Sequence, residues 1–210
     1  MLKIENVYTS GWKAAIRGMR NPKNSWAQID SAVVNGNGFV VGNNDYDLMY
    51  KLASAGTDHG KFMRMITVYL DVTAPLYWWK EFDTYKVGTV ANSCSTMHKI
   101  HSKEFTLDDF SHEQLNEKSL YMLNETVRYL NAVREAFVET KDKEYWWQMI
   151  QLLPSSYNQR RTVMLNYAVL RNIYHARKDH KLDEWHTFCD WIESLPYSDL
   201  ITGITGKAVL

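Results

Sequence analysis

Apolar and polar positions in the first half of the chain predict short strands mixed with short helices. Three segments are predicted to be strands: 2–8, 62–72 and 97–101. β-Branched and aromatic residues recur in 62–72, as is typical of a strand. Three segments are predicted to be helices, the last of them opened by Pro75: 11–20, 45–55 and 76–85. Residues 33–42 place apolar runs around Asn-Gly, which predicts either a hairpin or a mobile loop. The small, polar segment 87–96 is predicted to be a loop.

In the second half, apolar residues recur at helical spacing. They predict four helices, the second and fourth stopped by prolines: 111–140, 142–153, 158–177 and 182–195. Strands with a few helices come first and a long helical half follows, which indicates an α+β fold rather than repeated βαβ units. A length of 210 residues predicts one domain, residues 1–210.

The charge balance excludes some classes of protein. The 24 Lys and Arg residues match the 24 Asp and Glu residues, which argues against a protein that coats a nucleic acid polymer or an anionic membrane. No apolar run reaches the length of a membrane span, and the N-terminus has no apolar secretory segment. We therefore expect a cytoplasmic protein.

The two cysteines, Cys94 and Cys189, do not form a disulfide framework. Cys94 lies in a polar segment followed by His98 and His101, so it is either a candidate nucleophile or an idle thiol. The histidines complete no known zinc spacing, and we expect no metal site. Neither G-x-G-x-x-G nor a P-loop is present, which weakens the common NAD and ATP interpretations.

The predicted helix 158–177 carries polar residues among apolar ones. Asn166 lies amid core positions. Arg177 follows eleven residues later, about three turns, so the two side chains share one face of the helix at a spacing of roughly 16 Å. Asn172 points away from that face. A buried asparagine must find hydrogen-bond partners. Two interpretations stay open: a ligand site, or capping and interhelix hydrogen bonds with Arg177 in an ion pair near the helix C-terminus.

The order and spacing of several segments resemble the flavin-dependent thymidylate synthase (ThyX) family. Ala15 to Arg20 resembles the family's A-x-R-A-A-R, and Gly56 to His59 resembles its H-x-x-P-F-E-H turn. Leu153-Pro154 matches the family's L-P, and Asp183 to Trp185 resembles its Q-W-E. Asn166, Leu170, Asn172 and Arg177 fall at the spacing of the family's N-x-x-x-L-x-N-x-x-x-x-R. The resemblance spans most of residues 12–190.

The resemblance implies a ThyX-like α+β fold, with a central antiparallel sheet and a long helical half. It implies a homotetrameric flavoprotein, a methyltransferase that binds FAD, uses NADPH and methylenetetrahydrofolate, and methylates dUMP. The flavin contacts implied by position are His59, Tyr85, Lys86, Asn166 and Asn172. The implied nucleotide contacts are Glu81, Asn92, Ser93 and Arg177, with Arg177 polarising the pyrimidine carbonyl.

The chain departs from the family's signature R-H-R-x-x-S-x-N-x-x-S-x-R. Thr84, Tyr85 and Lys86 align with R-H-R. The two signature serines align with Thr89 and Cys94, the asparagine with Ala91 (Asn92 is next to it) and the last arginine with Thr96. Ile150 stands where the family has an arginine before L-P. Losing these cations should cost most of the dUMP affinity, because arginine is the best partner of phosphate. Lys80, Lys86, Arg160 and Arg161 are candidates to compensate.

Two functional interpretations follow from the resemblance. In the first, the chain is a flavin-dependent enzyme that transfers a one-carbon unit to dUMP or a related nucleotide, with Arg177 and Cys94 as catalytic residues. In the second, it is a catalytically inactive protein of the same fold that binds nucleotide or flavin, or serves a structural role. Retained Asn166, Asn172 and Arg177 favour the enzyme, and the altered signature favours the inactive module.

Overall fold

The computed structural model describes residues 2–34 and 38–203. Their strands are β1 (Lys3–Ser10), β2 (Ala32–Val34), β3 (Gly38–Val40), β4 (Thr67–Pro75), β5 (Val90–Ser93) and β6 (Asn158–Asn166). Their α-helices are α1 (Trp12–Arg20), α2 (Asn43–Ser54), α3 (Leu76–Phe82), α4 (Thr96–Lys99), α5 (Glu117–Thr140), α6 (Lys143–Leu152), α7 (Tyr167–Arg177), α8 (Asp183–Glu193) and α9 (Asp199–Thr202). None of these helices is long and apolar enough to cross a membrane.

Two sheets are present among the described residues. The central antiparallel sheet has four strands in the order β1-β4-β6-β5. The second sheet is the antiparallel pair β2–β3, in which Ala32 lies opposite Val40 and Val34 opposite Gly38. The hairpin predicted at 33–42 is thus confirmed in its two strands, while its tip at 35–37 lies outside the described residues. The α+β fold class is confirmed.

The chain divides into two compact units. The first contains Met1–Glu5, Asp71–Thr84 and Ala91–Thr162, and the second contains Asn6–Leu70, Tyr85–Val90 and Val163–Leu210. The expectation of one domain over residues 1–210 stays a prediction.

The first unit buries an apolar cluster between α5, α6 and the segment before them. Its members are Ile100, Phe105, Phe110, Leu123, Val127, Leu130, Val133 and Met149. The helix α6 begins where the sequence predicts it, because the Asp142 side chain accepts a hydrogen bond from the Glu144 N–H. The α5–α6 pair confirms the predicted amphipathic helices of this region, although α5 starts at Glu117 rather than at residue 111.

The second unit buries side chains from α1, α2, α7 and α8, including Ile16, Met49, Leu170, Trp185 and Phe188. Buried aromatic and aliphatic groups of this size supply most of the stabilisation of a core.

Four element predictions were wrong in whole or in part. The strand predicted at 62–72 begins only at Thr67, because Gly60–Met65 forms a 3₁₀ helix that buries Phe62 and Met63. The predicted loop 87–96 contains strand β5, and the predicted strand 97–101 is largely the helical turn α4, which starts where Ser95 Oγ accepts from the His98 N–H.

The fourth error is the helix predicted at 158–177. Residues 158–166 form strand β6, in which Gln159, Val163 and Leu165 are buried while Arg160 and Thr162 are exposed. Much of this pattern has the period of two expected of a strand. The helix α7 starts only after Asn166.

Candidate functional site

Asn166 ends strand β6 and caps helix α7. Its backbone is extended (φ −130°, ψ 167°), and its side-chain Oδ1 accepts a hydrogen bond from the Val169 N–H over 3.0 Å. The residue is buried. Of the two interpretations of this asparagine, helix capping is confirmed, and an N-cap of this kind stabilises a helix by about 1 kcal/mol. The predicted flavin contact of Asn166 stays a prediction.

A loop segment of the second unit, Tyr85–Val90, lies against α7 at Gly88. Gly88 has φ +78°, and a Cβ placed there would lie 2.9 Å from Asn166 Nδ2 and 3.2 Å from Val169 Cγ2. Both the positive φ and the close approach require glycine at this position.

Thr89 follows Gly88 and occupies the position of the first serine of the signature. Its hydroxyl oxygen is buried and has no hydrogen-bond partner among the described residues. A buried hydroxyl without a protein partner can exchange a hydrogen bond with a bound polar atom.

The same segment contacts the other end of α7 through Tyr85. Arg177 Nε donates a hydrogen bond to the Tyr85 hydroxyl over 2.8 Å. The Arg177 guanidinium carbon lies 4.8 Å from the centre of the Trp185 ring and 5.6 Å from that of Tyr85. Trp185 is fully buried and Arg177 is half-buried. The arginine therefore sits on an aromatic surface, where a guanidinium is attracted to the ring faces.

Three of the predicted site residues thus lie along α7: Asn166 at its N-terminus, and Tyr85 and Arg177 together at its C-terminal end. The eleven residues of α7 span about 16 Å, and segment 85–90 contacts it near both ends. Lys86 lies between the two contacts and is exposed, as is Asn172 on α7. His59, also in the second unit, is exposed just before the 3₁₀ helix Gly60–Met65.

The other predicted site residues belong to the first unit. Asn92 and Ser93 are exposed on β5, and Glu81 is half-buried on α3. Cys94 is exposed; its N–H donates to the Arg160 carbonyl over 2.9 Å, and its carbonyl accepts from Gln159 Nε2 over 2.8 Å. The roles assigned to these four residues stay predictions.

Two of the candidate replacements for the lost signature arginines, Arg160 and Arg161, already bind carboxylates. The Arg160 guanidinium lies 2.7 Å from Asp71 and 3.8 Å from Glu5. Its hydrogen bond to Asp71 raises the pKa of Arg160 above the usual value. Arg161 lies 2.7 Å from Asp83 and stacks on the Trp79 ring at 4.2 Å. Their charges are therefore largely neutralised inside the first unit, whereas Lys80 and Lys86 are exposed.

A shallow groove of ≈ 560 Å³ lies beside the C-terminal part of α7. Its lining includes Tyr174, Lys178, His180, Cys189 and Glu193. Tyr174 donates a hydrogen bond to Glu193 over 2.7 Å, and this bond raises the pKa of Tyr174 to about 12. Over residues 2–34 and 38–203, no group of three His, Cys, Asp or Glu side chains is arranged to hold a metal ion.

Comparison with solved structures identifies the fold as that of flavin-dependent thymidylate synthases. The ThyX structure from Helicobacter pylori with FAD and dUMP matches with a TM-score of 0.69 at 16% identity, covering 97% of this chain and 98% of that chain. A second ThyX structure from the same organism, also with FAD and dUMP, matches with a TM-score of 0.68 at 16% identity, over 95% and 99% of the two chains.

The UMP/dUMP methylase PolB from Streptomyces cacaoi, bound with 5-Br UMP, matches with a TM-score of 0.61 at 11% identity, over 92% of this chain and 88% of that chain. No protein-family model matches the sequence, and no curated protein sequence matches it. At these identities the similarity shows the fold, so the predicted ThyX-like fold is confirmed.

Proposed function

We propose that this protein is a flavin-dependent enzyme that transfers a one-carbon unit to a pyrimidine nucleotide, dUMP or a related one. The observation that carries the proposal is the docking of segment 85–90 on α7, through Tyr85 to Arg177 and through Gly88 to Asn166. In this ThyX-type fold, the segment that replaces the family signature thus lies against two residues that keep the family spacing. Solved structures of this fold contain FAD with dUMP, or 5-Br UMP.

Arg177 is the residue proposed to bind the pyrimidine. A charge-assisted hydrogen bond is strengthened where water is partly excluded, and Arg177 is half-buried against Trp185. A guanidinium donor at a pyrimidine carbonyl would draw negative charge onto that oxygen as the ring reacts. A donor already held in place stabilises developing charge more than one that must reorient.

The residues of the second unit fit a flavin. Thr89 offers a buried hydroxyl without a partner among the described residues, and Asn172 and His59 offer exposed polar groups. These side chains would hold FAD. Bound FAD, reduced by NADPH, would supply the reducing equivalents that convert a one-carbon unit from methylenetetrahydrofolate into a methyl group. We also propose a homotetramer, in line with the resemblance of the sequence to the ThyX family.

Phosphate binding is proposed to depend on Lys86. Lys86 is the cation that remains at the R-H-R position of the signature, and Arg160 and Arg161 are engaged by Asp71 and Asp83. Lysine binds phosphate as a point charge, without the bidentate geometry of arginine. We therefore expect weaker nucleotide binding than an R-H-R segment would give.

A second candidate function is a catalytically inactive flavin- or nucleotide-binding module. The observation that favours it is the commitment of Asn166 to capping α7, together with the neutralised arginines of β6. In this case the fold would bind a ligand through the second unit and perform no methyl transfer.

The test is an absorbance spectrum of the protein after incubation with FAD and desalting, followed by titration with dUMP and UMP. We expect a retained flavin band that the nucleotide perturbs. R177A should retain the flavin and lose the nucleotide response. The matched control is R128A, an exposed arginine on α5, which should behave like the wild type.

The outcomes separate the candidates. A retained flavin with no methyl transfer to any pyrimidine nucleotide supports the inactive module. A protein that retains no flavin contradicts the enzyme proposal. A normal nucleotide response in R177A shows that the site assignment is wrong.

A further inference from the structure

We infer that Tyr85 is a positioning residue, which orients the Arg177 guanidinium for the pyrimidine and thereby sets the nucleotide affinity of this protein. The inference rests on the proposed function and assigns a role to a residue that replaces the histidine of the family signature. Its basis is the 2.8 Å hydrogen bond from Arg177 Nε to the Tyr85 hydroxyl.

Two nearly perpendicular rings define the orientation of the guanidinium. The Tyr85 and Trp185 rings lie 6.2 Å apart with an angle of 72° between their planes. Trp185 lies against Arg177 with 4.8 Å between the ring centre and the guanidinium carbon, whereas the Tyr85 hydroxyl accepts from Nε. A contact to the ring surface and a directional hydrogen bond together restrict both the position and the rotation of the group.

The surroundings hold this pair of rings firmly. Trp185 is fully buried and its ring contacts those of Phe188 and His180. The His180 N–H donates to the Arg177 carbonyl over 3.0 Å, and its ring Nδ1 accepts from the Leu182 N–H over 3.1 Å. The platform under Arg177 therefore belongs to the rigid connection between α7 and α8.

Fixing an arginine in advance has a direct effect on binding. A free arginine side chain loses rotamer entropy when a ligand immobilises it. An arginine already held by Tyr85 and Trp185 loses less of this entropy when the nucleotide binds, so affinity rises without a new contact to the ligand. The tyrosine in place of the signature histidine thus offsets part of the loss of the signature cations.

The test is a double-mutant cycle read by nucleotide titration of the flavin band. Y85F keeps the ring and removes the acceptor, so we expect the dUMP affinity of the flavin-loaded protein to fall about 5- to 10-fold. In an R177M background no N–H donor remains for the hydroxyl, so Y85F should change the residual affinity less than about 2-fold. Y8F, at an exposed tyrosine of the same unit, is the matched control and should have no effect.

The results distinguish three cases. Non-additive behaviour of Y85F and R177M supports the positioning role. Unchanged affinity in Y85F, or an equal loss in both backgrounds, overturns the role while the proposed function stands. A wild-type protein whose flavin band does not respond to dUMP or UMP contradicts the proposed function, and the positioning role is rejected with it.

Discussion

Arg20 and Asp45 form a buried ion pair, in which Arg20 Nε donates to Asp45 Oδ1 over 2.6 Å. Arg20 is 2% exposed and Asp45 0%. The other carboxylate oxygen of Asp45 accepts from the Asp30 N–H, the Ser31 N–H and the Ser31 hydroxyl. One carboxylate on α2 therefore connects α1 to the residues that lead into the β2–β3 hairpin.

Removing this carboxylate should strongly destabilise the protein. D45A leaves the Arg20 charge buried without its partner, which typically costs about 3–5 kcal/mol. Urea unfolding at pH 7 measures the loss. D47A, at an exposed aspartate of the same helix, should change the free energy of unfolding by less than about 0.5 kcal/mol. Equal effects of the two substitutions would show that the pair is not a buried anchor.

The same pair should make stability depend on pH. Burial alone would raise the pKa of Asp45, but hydrogen bonds from Ser31, Arg20 and the Asp30 N–H outweigh it and lower the pKa below its usual 3.8. Since the folded pKa is the lower one, the stabilisation is fully present above pH 3.8 and is lost as the pH falls through the folded value. Urea unfolding between pH 6 and pH 3 should show this loss in the wild type, and D45A should lack that share of it.

A side chain at Gly88 should destabilise the protein. G88A combines the strain of φ +78° with a Cβ 2.9 Å from Asn166 Nδ2, and we expect a loss of about 1–3 kcal/mol together with weaker flavin retention. G56A is the matched control, because Gly56 has φ +107° with no atom within 4 Å of the added Cβ. It should cost about 1 kcal/mol and leave the flavin in place. If the two variants behave alike in both assays, segment 85–90 does not depend on its contact with α7.

Local sequence signals predicted the elements that depend on local chemistry. The Asn-Gly turn signal predicted the β2–β3 hairpin, and the apolar spacing before Pro154 predicted α6. These features act within a few residues, so a single sequence contains them.

The elements set by pairing were missed. Strand β5 consists of exposed residues and gives no burial pattern; its place at the edge of the sheet comes from its neighbour β6. The β6–α7 junction was missed because Leu165, Val169 and Ile173 recur every four residues, as in a helix. This spacing runs across the junction and hides the change from strand to helix.

The site was predicted only in part, for the same reason. The spacing of Asn166 and Arg177 could be read from the sequence, but the hydrogen bond from Arg177 to Tyr85 joins residues 92 positions apart. The pairing of Arg160 and Arg161 with Asp71 and Asp83 likewise depends on sheet geometry that periodicity does not reveal.

Nucleotide binding should distinguish Lys86 from Arg160. K86A removes an exposed cation of segment 85–90, and we expect dUMP affinity to fall about 10-fold. R160A removes a guanidinium already bound to Asp71, and it should change affinity less than about 2-fold. Isothermal titration at low and high salt checks both. A larger loss in R160A than in K86A would place the phosphate near β6 instead.

The two thiols should differ sharply in reactivity. Cys189 is 4% exposed on α8, and burial, followed by the charges of Asp190 and Glu193, raises the pKa of its thiol to about 11. At pH 8 only about one Cys189 in a thousand is then a thiolate, which is the reactive form. Cys94 is exposed. A disulfide reagent at pH 8 should therefore label one thiol per chain quickly and the second only after unfolding, and C94S should remove the fast phase.

Because Cys94 is predicted to act as a nucleophile rather than as a flavin contact, C94S should retain FAD while losing turnover. Full turnover in C94S would show that the exposed thiol has no catalytic role, and two fast thiols in the wild type would show that Cys189 is accessible.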